Sequence, residues 1–115
     1  MDYYHAWFNL KNSGADLEFT EKVHDFLGHL EERNMIEGYR LARRKLGFGP
    51  SDLGEFHITI ELKDLTQLDQ AFLHAATRGP DIEPLHAGVY AAVKDVKFAL
   101  YRDFPDPVRR KRGKP

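Results

Sequence analysis

Cysteine is absent from the 115 residues, so the chain has neither a disulfide framework nor a thiolate zinc site, and a reducing, cytoplasmic setting is expected. Long hydrophobic runs are absent too. No window approaches the roughly 20 apolar residues of a membrane span, so no membrane partner is expected. Strand-like sequence begins at once, without the basic and apolar regions of a secretory signal. The glycine-rich stretch 47–54 lacks the lysine and spacing of a phosphate-binding loop. No dinucleotide fingerprint and no nucleophile elbow occur elsewhere. Net charge is only −1, but it is unevenly spread, because Arg109, Arg110, Lys111, Arg112 and Lys114 face Asp106 alone at the end of an otherwise acidic chain. Such a tail would bind nucleic acid through phosphate contacts with aromatic platforms beside them. It has no aromatics, and it reads as a solvated terminus with nucleic acid not among the expected partners.

Apolar residues make up 42% and aromatics 12%, enough for one hydrophobic core in a chain of this length. The expected organisation is a single domain over residues 1–104 with a basic, flexible tail over 105–115. Residues 3–10 alternate as a strand, and Lys11-Asn12-Ser13-Gly14 supplies turn chemistry. From Asp16 to Asn34, Phe19, Val23, Phe26, Leu27 and Leu30 recur at helical spacing. Residues 35–46 read as a second strand, 55–62 as a third. Thr66 to Asp69 resembles a capping box opening a second helix along Leu68, Phe72, Ala75 and Ala76. Pro84 introduces a short third helix, and Val96 to Arg102 closes the regular structure as a strand. The order is βαββαβ with a short extra helix before the last strand, the split pattern of a ferredoxin-like α+β fold.

In that topology strands one and three are central neighbours and the helices cover one face. The other face then carries Tyr3, His5, Trp7 and Asn9, with His57, Thr59 and Glu61, and Tyr101 from the last strand. It is too aromatic for a face left in water, so a second copy of the chain is expected to cover it and to trap a cavity. With the ends of the central strands matched, His5 falls opposite Glu61 and His57 opposite Asn9, which separates the imidazoles by about 13 Å. That is too far for one metal ion, and His24, His29, His74 and His86 are scattered over helices, so no metal and no cofactor is expected. His5, His57 and Glu61 are the candidate catalytic groups, since an imidazole beside a carboxylate suits general acid–base chemistry. Tyr3, His5, Trp7, Asn9, His57, Thr59 and Tyr101 are the candidate ligand-binding residues. Arg40 and Arg44 join them as cations for an anionic head group, the alternative being an edge strand that guards itself against aggregation.

The stretches Phe26-Leu27-Gly28-His29-Leu30, Arg43 to Gly47, Gly49 to His57 and Val96 to Phe104 resemble small uncharacterised proteins of the dimeric α/β-barrel superfamily. That resemblance implies a homodimer whose sheets close around a ligand cavity, and it carries no catalytic residue with it. Three readings follow. The first is a binding protein for a hydrophobic or amphipathic molecule, such as a fatty-acid-like compound or an aromatic acid. The second is a cofactor-independent monooxygenase or isomerase with His5 or His57 as base. The third is a structural dimer with no ligand.

Overall fold

The computed structural model describes residues 1–77 and 79–109. Strand β1 is Asp2–Leu10, helix α1 is Asp16–Glu32, and β2 and β3 are Gly38–Arg43 and Phe56–Leu62. Helices α2 (Leu65–Ala76) and α3 (Glu83–Tyr90) then lead into β4, Val93–Arg102. The strands lie in the order β2-β3-β1-β4, with antiparallel neighbours throughout. This is the expected ferredoxin-like topology, extra helix included.

Alternation along β1 and β3 decides which side is dry. Phe8, Leu10, Phe56, Ile58 and Leu62 are buried against Phe19, Val23, Leu27 and Leu30 of α1, and these form the core. Asn34 closes α1 in the left-handed conformation at φ 57°, a role asparagine tolerates better than most residues. Helix α2 starts one residue before the expected capping box. Asp64 is the cap, accepting from Gln67 N at 2.9 Å, while the Gln67 side chain accepts from Lys63 N at 2.7 Å. Gln67 also donates to the Asn34 carbonyl and to Glu37, which ties α2 to the turn before β2.

Two boundaries differ from the sequence reading. β2 is six residues long and not twelve, because Met35 N donates to Leu30 O in the turn after α1 and Leu46 and Gly47 both take positive φ in the next turn. β4 begins three residues early at Val93, and the bulge at Asp95, φ 56°, absorbs the offset against Asn9. The β2–β3 connection ends at Gly54, buried where a Cβ would land on the Phe8 carbonyl, so only glycine lets the loop approach β1 there. The expected basic tail falls largely on residues 110–115, which lie outside the described residues. Before them, Pro107–Arg109 forms a single turn of 3-10 helix.

Candidate functional site

The open face of the sheet gathers most of the singled-out residues, in a register two residues away from the ends-matched one. His5 pairs with Thr59, Trp7 with His57, and Tyr3 with Glu61. A two-residue shift leaves every side chain on its expected face and changes its partners. The expected separation of the two imidazoles is therefore overturned: His5 Nδ1 lies 2.8 Å from His57 Nε2. Thr59 Oγ1 completes a triangle at 3.4 Å from the first nitrogen and 3.3 Å from the second. The expected His5–Glu61 pair does not form, since Glu61 sits across from Tyr3 one step along.

Aromatic rings hold the imidazole pair in place. The Trp7 indole lies parallel to His57 with centroids 4.7 Å apart, and Tyr101 meets His5 edge-on at 5.0 Å. Burial pushes the His5 ring below the usual imidazole range; burial and then the neighbouring His5 do the same to His57. Both rings are thus neutral near pH 7, and one N–H donates to the other's bare nitrogen. Such a pair can accept one proton and share it, which is the chemistry of a general base with a built-in relay.

The remaining candidates lie outside the triangle of His5, His57 and Thr59. Arg40 shares the open face opposite Thr59 and is exposed. Arg44 folds onto its own loop, where one guanidinium nitrogen donates to the carbonyls of Pro50 at 2.9 Å and Leu53 at 2.6 Å. Tyr3 donates to Asp103 at 2.8 Å, and Asn9 bridges the Glu55 amide and the Asp95 carboxylate. These contacts brace the rim of the sheet and draw the polar groups away from its centre.

Two features were not legible in the sequence. On the opposite face, between the sheet and the helices, an apolar cavity of about 360 Å³ is lined by Tyr4, Phe26, Leu68, Phe72, His86 and Phe98 among others. Its mouth is aromatic: Phe72 is 49% and Phe98 62% exposed. Among the described residues no arginine or lysine lines it. His86, edge-on to Phe26 at 5.4 Å and stacked on Tyr90 at 5.8 Å, provides an imidazole in an otherwise hydrocarbon wall. The second feature is a cluster of His29, His74 and Asp81 at the helix ends. The expectation that these histidines stand apart fails because α1 and α2 bring their last turns together.

An antiparallel four-stranded sheet with helices on one side, an imidazole pair on the other and a cavity between the layers defines a ferredoxin-like α+β protein. Residues 1–114 match DUF6614, a family of unknown function, and the chain belongs to it. Among solved structures it is similar to a dimeric ferredoxin-like protein of unknown function from Jannaschia sp. CCS1, with 13% identity, TM-score 0.65, and 89% of this chain and 98% of that one covered. It is also similar to a protein of Arabidopsis thaliana, with 6% identity, TM-score 0.70, and 92% and 98% covered. A dabb family protein of Mesorhizobium loti with a ferredoxin-like fold gives 15% identity, TM-score 0.66, and 90% and 96% covered. No curated protein matches the chain. At such identities the likeness establishes the fold, and function has to be argued from the site.

Proposed function

We propose that the protein is a homodimer that holds a hydrophobic small molecule in the cavity between its sheet and its helices, with the open sheet face as the seam between copies. The cavity carries this reading. Its volume of about 360 Å³ falls within the roughly 300–1,000 Å³ usual for small-molecule sites, and its wall is apolar with few polar handles. Tyr4, His86 and Tyr90 can each make a hydrogen bond to a hydroxyl or carbonyl, whereas no cation among the described lining residues would fix a carboxylate. The ligand class is accordingly an apolar or phenolic molecule in preference to a fatty acid. The seam is supported by Trp7 and Tyr101 on the open face, and by the dimeric state of the Jannaschia protein.

The test is a titration with N-phenyl-1-naphthylamine, a neutral dye that fluoresces in apolar surroundings. Ala75 also lines the cavity, so Ala75→Trp fills it. Saturable fluorescence in the native protein, lost in a variant with unchanged circular dichroism, is the expected result. Equal binding by both, or none by the native protein, would sink the reading. Sedimentation velocity on the same samples should give the mass of two chains.

The 2.8 Å contact of His5 with His57 supports a second reading, a cofactor-independent oxygenase or isomerase that uses one imidazole as base. Oxygen consumption with electron-rich phenols should then fall by about 10²-fold or more in His57→Gln. A panel of such phenols that leaves the oxygen level flat would rule out the oxygenase form.

A further inference from the structure

The His29, His74 and Asp81 cluster is built from three separate elements. His29 is in the last turn of α1, His74 in the last turn of α2, and Asp81 in the connection between α2 and α3. His29 Nε2 lies 3.4 Å from His74 Nε2 and 3.6 Å from Asp81 Oδ2, and the third edge, His74 Nε2 to Asp81 Oδ2, is 3.9 Å. Donors on a tetrahedral ion at about 2.0–2.1 Å stand about 3.3–3.4 Å apart, so this triangle needs only small adjustments to close on one ion.

The surroundings hold the triangle in place. The His29 side chain is 10% exposed and that of His74 20%, while Asp81 at 49% keeps one side open to solvent. Asp81 is fixed by its neighbour Ile82, which is wholly buried, and by Ile82 and Glu83 amides that donate to the Gly79 carbonyl at 3.1 and 2.9 Å. A Cβ at Gly79 would come within 3.0 Å of Asp81 Oδ1, so glycine leaves room for the carboxylate.

We propose that His29, His74 and Asp81 bind one zinc-class divalent ion, through two imidazole nitrogens and one carboxylate oxygen, with the fourth position open to water or a ligand. Two nitrogens and one oxygen suit zinc, cobalt or nickel better than magnesium or calcium. The ion would pin the ends of α1 and α2 to the α2–α3 connection. This inference is independent of what fills the cavity.

One contact opposes loading, and it supplies a sharp test. Arg33 Nη1 donates to His29 Nδ1 at 2.9 Å, which requires a bare Nδ1 and places the ring proton on Nε2. Metal at Nε2 needs the reverse tautomer, so the exposed Arg33 side chain must swing away. Removing it should tighten binding.

The experiment is a cobalt titration of the full-length, chelator-treated protein, read by the visible bands of four-coordinate cobalt and by competition with zinc. One ion per chain is expected. His74→Ala with Asp81→Asn should lose at least about tenfold in affinity while retaining native circular dichroism. Arg33→Gln should gain about tenfold. His5→Gln with His57→Gln is the control for the other imidazole pair and should bind as the native protein does. The proposal falls if no saturable binding is seen, if the His74 and Asp81 variant binds unchanged, if Arg33→Gln does not tighten, or if the control variant loses the ion.

Discussion

Two aromatic trios are built around Phe8 and Tyr4 on the same side of β1, and only one is sealed. Phe8, Phe19 and Phe56 meet at centroid distances of 5.5 to 6.4 Å, and all three are buried. Tyr4, Phe72 and Phe98 meet at comparable distances, 5.2 and 5.7 Å, yet Phe72 and Phe98 are half exposed. Helix α1 is seventeen residues long and lies across the first trio, whereas α2 and α3 are twelve and eight residues and leave β4 partly uncovered. Leu100 on β4 is half exposed for the same reason. Similar ring contacts thus do different work: the sealed trio stabilises the fold, and the open one borders the mouth of the cavity.

The sharpest way to break this contrast is to truncate a ring in each trio. Phe8→Ala should cost about 3–5 kcal/mol in urea unfolding, since it leaves a cavity in a closed core. Gly54→Ala comes next, at about 1–3 kcal/mol, because the new methyl meets the Phe8 backbone, which cannot yield as a side chain would. Phe72→Ala should cost only about 1 kcal/mol, its ring being already half in water, and its main effect should be weaker dye binding. Equal losses for Phe8→Ala and Phe72→Ala would mean that the second trio is as closed as the first and that the cavity has no free mouth.

The fold was readable because its signals are local. Helical spacing from Phe19 to Leu30 and alternation in β1 and β3 set the layers, and their order set the topology. The candidate site was readable in its membership but not in its geometry. Tyr3, His5, Trp7, His57 and Thr59 share one face as alternation requires, but whether His5 meets Glu61 or His57 depends on a two-residue register choice. Both registers preserve the faces, so the pattern of apolar residues cannot choose between them. The Gly54 approach to Phe8 and the bulge at Asp95 accompany the observed one, and each depends on distant chain. The His29, His74 and Asp81 cluster lay further out of reach, because it joins helix ends separated by about forty-five positions in the sequence. Arg44 misled for a related reason: a guanidinium that satisfies its own loop carbonyls looks, in sequence, like one free to bind an anion.

The open face adds the smallest effect, and it separates burial of rings from burial of charge. His5 and His57 are held below the usual imidazole range, chiefly by burial, so above pH of about 6.5 the rings are neutral in both folded and unfolded chains and contribute no pH dependence. As pH falls through that value the unfolded chain takes up protons that the folded pair resists, and the unfolding free energy should decline, levelling off once the pH passes below the folded values. Urea midpoints measured from about pH 7.5 down to about 5.0, roughly the span of imidazole titration, should therefore drop in the native protein and drop less in His5→Gln with His57→Gln. The sealed trio has no titratable ring, so Phe8→Ala should lower the midpoint by a similar amount at every pH. A native midpoint that rises on acidification would instead mean that the 2.8 Å contact holds a shared proton, turning the neutral pair into a cation that the open face stabilises.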